Sequence, residues 1–153
     1  MELLWANLEE EAHERACVKL LNDYILDPMG GGEPLEKEQA LKLIEGLRKT
    51  PNVEILLASM EGEFVGLCTL FVNFSTFKQK PYFNLHDVIV SPEARGKGVG
   101  RSMLEYLIKE AKRRDYAKVT LEVREDNQGA QTLYQSLGFR ESEPRMFFWS
   151  RML

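Results

Sequence analysis

Hydrophobic and polar positions along the chain alternate in blocks of different period. Glu2 to Ala6 reads as a short edge strand, and Asn7 with Glu10 three residues later reads as the capping-box start of a helix. Ala12, Ala16, Cys17, Leu20, Leu21 and Tyr24 then fall on one stripe at helical spacing, which ends before Asp27-Pro28 and the run Gly30-Gly31-Gly32, expected to be a flexible loop. A second helix is predicted from near Pro34, with Ala40, Leu43, Ile44 and Leu47 inward and a stop at Thr50-Pro51-Asn52. Val53 to Met60 and Phe64 to Phe74, separated by Glu61-Gly62-Glu63, have the β-branched and aromatic content of a hairpin. Ser75 to Tyr82 is a polar link, and Phe83 to Val90 a further strand closed by Ser91-Pro92. Gly98 to Arg114 carries Val99, Met103, Leu104, Leu107 and Ile108 on one helical face and ends in basic residues that suit the helix dipole. Lys118 to Val123 is the next strand, Asn127 opens a helix that runs to Leu137 and stops at Gly138, and Phe139 with Met146 to Arg151 supply the last strands. No internal repeat or linker interrupts this series.

A chain of 153 residues with 44% hydrophobic and 29% charged positions has the size and apolar content of one domain, residues 1–153, around one core. Its longest apolar stretches fall far short of the ~20 residues that span a bilayer, and no basic-then-apolar leader opens it, so no membrane partner and a cytoplasmic location are expected. Cys17 and Cys68 stand 51 positions apart, and His13 and His86 form no ligand cluster with them. We therefore expect buried, inert thiols, no disulfide and no metal site. Charge is unevenly spread: through Gly66 there are 14 acidic and 6 basic residues, a net of −8, and from Leu67 onward 10 and 14, a net of +4. That split suits an anion on the C-terminal half and a cation on the N-terminal half, whereas the net charge of −4 argues against a nucleic-acid partner.

The anion has an obvious place. Val88-Ile89-Val90, then Ser91 to Gly100, runs strand, loop, helix, with Gly96, Gly98 and Gly100 at alternate positions and Arg95, Lys97 and Arg101 among them. Glycines let backbone N–H groups approach a phosphate at a helix N-terminus, and the basic residues add charge. The dinucleotide fingerprint fails because Gly98 plus three is Arg101, and the Gly-Lys-Ser/Thr of a P-loop is absent.

Arg95-Gly96-Lys97-Gly98-Val99-Gly100 resembles the Arg/Gln-x-x-Gly-x-Gly/Ala signature of the GNAT N-acetyltransferase superfamily, and Leu121-Glu122-Val123, Asn127, Ala130, Leu133-Tyr134 and Leu137-Gly138-Phe139 resemble that family's next strand and helix. The resemblance implies an α+β (mixed α/β) fold: a mixed, mostly antiparallel sheet of about six to seven strands with about four helices, splayed between Phe83–Val90 and Lys118–Val123. It implies acetyl-CoA as cosubstrate, with its pyrophosphate on Arg95 to Arg101 and its pantetheine arm against Val88, Ile89, Val90, Asn127 and Tyr134. It also implies direct acetyl transfer to a primary amine.

Within that frame Tyr134 stands where the family's general acid stands, although a helix tyrosine is also a packing residue. Asn127 is both a pantetheine ligand and a helix cap. Asp87, His86 and Glu122 are the candidates for general base, with ordered water as a further one. Strand alternation puts His86 with Val88 and Asp87 with Ile89 on opposite faces unless a bulge intervenes. The polyamine-acetylating branch resembles this segment in its acid at the place of Asp87, but it has a second acid where this chain has His86. A backbone N–H near Val90 is the expected oxyanion donor. Tyr24, Asp27, Met29 and Asp87 are the candidate acceptor residues, in an acidic setting that favours a small cationic amine. A protein or peptide amine and a non-catalytic acetyl-CoA-binding module are the competing readings, for a monomer or a homodimer.

Overall fold

In the computed structural model, which describes residues 1–153, the chain divides into two compact units, Met1–Glu122 and Val123–Leu153. The first unit carries a five-stranded sheet in the order β1 (Glu2–Trp5), β2 (Val53–Met60), β3 (Glu63–Ser75), β4 (Lys80–Val90) and β5 (Val119–Leu121). Every neighbour is antiparallel except the last pair, in which β4 and β5 run parallel. Helices α1 (Glu11–Ile25), α2 (Lys37–Lys49) and α3 (Val99–Arg113) complete it, with a 3₁₀ turn at Pro92–Ala94.

The β2–β3 hairpin follows from Glu61 and Gly62, both at positive φ, as a two-residue turn of this hand requires. One sheet face carries Ile55, Leu57, Leu67 and Ile89 against Ala16, Cys17, Leu20 and Ile44 of α1 and α2, all nearly inaccessible to solvent. The other face receives α3, whose Val99, Met103, Leu104 and Leu107 are buried. Its approach is so close that a Cβ on Gly66 of β3 would stand 2.7 Å from the Met103 sulfur and 2.9 Å from a Val99 methyl. At the far end of α3, Arg114 donates to Glu54 and Glu110 and lies 5.0 Å over Trp5 and 5.3 Å over Phe83, locking β1, β2 and β4 to the helix.

The second unit holds α4 (Gln128–Ser136), with the Asn127 side chain accepting from the Ala130 N–H and Gly138 at positive φ just beyond its end.

The structure corrects several expectations. The sheet has five strands, not six or seven. Phe139 and Met146 to Arg151 form no strand: the segment has no ladder partner, and Met146, Phe147, Phe148 and Trp149 are each at least 76% exposed. The first helix begins at Glu11; Asn7 instead accepts from the Glu9 N–H in a preceding turn. The second begins at Lys37, where Glu36 and Gln39 form the capping box. Within Ser75 to Tyr82 only residues 76–79 lie outside the strands, as the turn that closes a long β3–β4 hairpin. Gly30 to Gly32 is a compact turn: the Gly30 and Gly31 N–H groups bond the Asp27 carbonyl, Gly32 bonds that of Ile25, and a Cβ on Gly30 would collide with the Tyr24 carbonyl oxygen.

Candidate functional site

The site begins with a one-residue irregularity. Asp87 pairs with Thr69 and Leu85 with Leu70, so His86 is an extra residue, a β-bulge in β4. At the same rung β4 leaves β5: their pairing covers Phe83 with Val119, Asn84 with Thr120 and Leu85 with Leu121, and stops. Beyond that rung His86 to Val90 have a ladder partner only in β3, an unpaired edge of the kind that the expected splay requires.

Side-chain parity changes at the bulge. Upstream, Phe83 and Leu85 share the α3 face; downstream, Val88 and Val90 share it, paired with Cys68 and Gly66. Asp87 and Ile89 look to the face of α1 and α2. The His86 ring stands edge-on to Phe71 with centroids 5.6 Å apart, and Phe71 belongs to that same face. His86 thus shares a face with Asp87, not with Val88. A bulge seats two successive side chains on one side, which simple alternation does not anticipate.

Main-chain directions change with it. The Phe83 N–H donates toward β5, to the Lys118 carbonyl, at 3.2 Å, whereas Ser91 donates to Val65 of β3 at 2.8 Å. Alternation back from Ser91 turns the N–H and C=O of Val88 and Val90 away from β3, to the open edge. The Val90 carbonyl accepts from Arg95 Nε at 3.2 Å on that side.

Beyond Val90 the chain passes through the 3₁₀ turn into Gly96 and Gly98, at φ 75° and 81°, around which an added Cβ meets nothing within 4 Å. Gly98 is the N-cap of α3, with no side-chain cap and no acid in the first turn. The first N–H groups of a 15-residue helix therefore face open space beside Lys97 and Arg101, an arrangement that fits a diphosphate by charge, dipole and room.

Among the candidate bases, Asp87 is largely buried, and burial raises its carboxyl above the ordinary range, partly offset by His86. His86 is exposed, as is Glu122, which lies beyond the end of β5. Thr69, opposite Asp87, and the bond from Asn84 Nδ2 to Thr120 Oγ1 at 3.0 Å on the middle rung of the β4–β5 pairing are features that the sequence reading missed; a polar residue inside each apolar strand was the available signal. Asp27 accepts from the Met29 N–H at 2.9 Å and from Arg95 at 2.7 Å, and those two contacts hold its carboxyl low. Tyr24 is half-buried near the end of α1.

In the second unit Tyr134 is buried and stacks edge-on with Phe139, centroids 5.9 Å apart. Its carbonyl accepts from Leu137 and Phe139 at the end of α4. Both thiols are buried, and burial pushes that of Cys17 up to about 12 and also raises that of Cys68, which removes either as a ready nucleophile. No helix is long and apolar enough to cross a membrane, and no three His, Cys, Asp or Glu side chains cluster as a metal site.

Known proteins place this arrangement. An uncharacterized N-acetyltransferase, YhfO, of Bacillus subtilis is 34% identical over 87 residues, 57% of this chain and 58% of that one. The [ribosomal protein bS18]-alanine N-acetyltransferase of Escherichia coli is 42% identical over 65 residues, 42% of this chain and 44% of its own. The chain thus matches about half the length of these curated relatives. A crystal structure of a probable acetyltransferase superposes with a TM-score of 0.85 at 26% identity, covering 100% of this chain and 99% of that one. Residues 18–139 match the acetyltransferase (GNAT) family, and the chain belongs to that family.

Proposed function

We propose that the protein is an acetyl-CoA-dependent N-acetyltransferase, one catalytic domain over residues 1–153, that passes the acetyl group directly to a primary amine of a small cationic acceptor in a ternary complex in the cytoplasm. One observation carries this reading: the uncapped N-terminus of α3, behind its open glycine loop, follows a strand edge whose Val88 and Val90 main-chain groups are turned outward. Diphosphate and an amide-bearing arm are the two chemistries that such a pair of features receives.

When bound, the cosubstrate supplies a thioester carbonyl and a thiolate leaving group. Gly98 to Arg101 then hold the diphosphate, and the main chain of Val88 and Val90 aligns the amides of the pantetheine arm. An acceptor arrives as an ammonium ion, with a pKa near ~10.4 if it resembles lysine, and must lose a proton before its nitrogen can attack. Asp87 takes that proton, His86 beside it being the alternative. A C–N bond forms as the C–S bond breaks, with the Val90 N–H donating to the carbonyl oxygen as it gains charge. Tyr134 gives its phenolic proton to the departing sulfur and recovers one from the nitrogen, which sheds its second proton as it becomes an amide. Family pattern supports this role for Tyr134 and the pantetheine role for Asn127.

CoA should raise the melting temperature, with NADH and ATP giving no comparable shift. Thiol release from acetyl-CoA should appear with at least one member of a panel of amines, amino acids and peptides. Tyr134→Phe should lower turnover by roughly 10²–10⁴-fold with little change in CoA affinity. Equal shifts with all three nucleotides would defeat the assignment, and cosubstrate binding without release would leave a binding module. The likeness to the bS18-alanine enzyme favours a second reading, a protein N-terminal alanine as acceptor, which turnover of an alanine-initiated peptide over free amines would establish.

A further inference from the structure

Arg95 and Asp27 are separated by 68 residues in sequence, yet they form an ion pair. Arg95 Nη2 donates to Asp27 Oδ2 at 2.7 Å while its Nε donates to the Val90 carbonyl at 3.2 Å. The Asp27 side chain is only 13% exposed, while that of Arg95 is 52% exposed. One guanidinium therefore ties together the turn after α1, the open edge of β4 and the glycine loop. A carboxylate so enclosed is poorly hydrated, and it depends on its partners to balance its charge.

The guanidinium has a second claimant. Arg95 immediately precedes Gly96, in the open loop that fits a diphosphate, and only two of its five N–H donors are engaged in these two bonds. A diphosphate carries more charge than a carboxylate and offers bidentate oxygens to a planar fork. Its arrival would draw the fork from Asp27, leaving a sheltered carboxylate held by the Met29 N–H alone. Such a group binds a cation in place of the one it lost.

We infer that Asp27 is a specificity-determining residue of the acceptor site, masked by Arg95 in the free protein and released to a cationic acceptor when Arg95 turns to the diphosphate of the cosubstrate. The inference rests on the N-acetyltransferase reading above and deepens it. Cosubstrate occupancy thereby switches on acceptor binding, and by linkage a bound acceptor tightens CoA by the same factor.

The test uses the full chain, with CoA and the dication 1,4-diaminobutane as probes, by calorimetry. Wild type loaded with CoA should bind the diamine at least about fivefold more tightly than ligand-free protein, a coupling within the ordinary range. Asp27→Asn removes the competing charge and should bind CoA about two- to fivefold more tightly, the scale of a partly exposed ion pair, while losing the preference of the loaded protein for the diamine. Hydrogen exchange at Leu26–Glu36 should quicken when CoA is added to wild type and be fast already in the variant. Asp27→Ser serves the same comparisons if the Asn variant does not fold. Unchanged or weaker CoA binding in the variant, no diamine binding to the loaded wild type, or slower exchange on loading each overturns the inference. Failure of wild type to bind CoA at all would instead overturn the acetyltransferase reading.

Discussion

Replacing Gly66 with alanine adds one methyl group where the sheet and α3 meet. The added carbon would stand 2.7 Å from the Met103 sulfur, 2.9 Å from Val99 Cγ1 and 3.1 Å from Ala58 Cβ. Two of these are closer than a real Cβ contact allows, and all three neighbours are fully buried, so Val99 and Met103 must shift. Overpacking of this kind costs about 1–3 kcal/mol, and the loss of glycine's conformational freedom returns about 0.5–1. A net destabilisation of up to about 2.5 kcal/mol lowers the melting temperature by up to about 10 °C for a chain of this size. Val99 is the first residue of α3 and lies between Gly98 and Gly100, so the displacement falls on the anion loop and should weaken CoA binding as well. Chemical denaturation gives the stability change, and calorimetry with CoA gives the affinity. Met103→Ala should restore part of both losses in Gly66→Ala while destabilising the wild type. A Gly66→Ala protein as stable as wild type, with unchanged CoA affinity, would refute the argument.

Asp87→Asn removes a buried charge whose native pKa is raised. That raised value penalises the folded state increasingly as pH climbs from 3.8, so the variant should gain stability relative to wild type over that climb and lose nothing below it. Its turnover should fall by about 10²–10⁴-fold if Asp87 is the base, measured as initial rates of thiol release. Cys17→Ala and Cys68→Ala should each keep turnover, with stability losses of about 1–3 kcal/mol from packing and no acetylated cysteine in intact-mass spectra. Glu110 has its carboxyl pulled down to about 2 by Arg113 and Arg114, so its contribution is complete above its ordinary 4.5 and is lost as pH falls through 2. Glu110→Gln should therefore cost about 1–2 kcal/mol at pH 7, and progressively less across that acidic window in urea titrations.

Much of this architecture was legible because local chemistry and global pairing agree. Glu61-Gly62 between two β-rich runs could hardly be other than a hairpin, and Val99, Met103, Leu104 and Leu107 could face only one core. The aromatic run at Met146 to Trp149 misled because strand preference is realised only against a neighbour, and the ladder offers it none. The bulge left a trace that was there to be read: apolar positions shift from the odd series Phe83 and Leu85 to the even series Val88 and Val90, with His86-Asp87 at the seam. The bond between Asp27 and Arg95 left none, since no periodicity relates residues so far apart in sequence.

The bulge also sets what kind of change β4 can absorb. An extra residue bends its strand and deepens the twist, and here the bend falls at the last rung shared with β5. Removing His86 outright would leave Leu85 opposite Leu70 and Asp87 opposite Thr69, in an unbroken ladder with every downstream side chain still on its present face. The straightened strand would lose the bend at the point where its pairing with β5 stops. Exchange of His86 for another side chain keeps that bend. At this position the number of residues matters more than their identity, and the shorter, more regular chain would be a sturdier sheet without it.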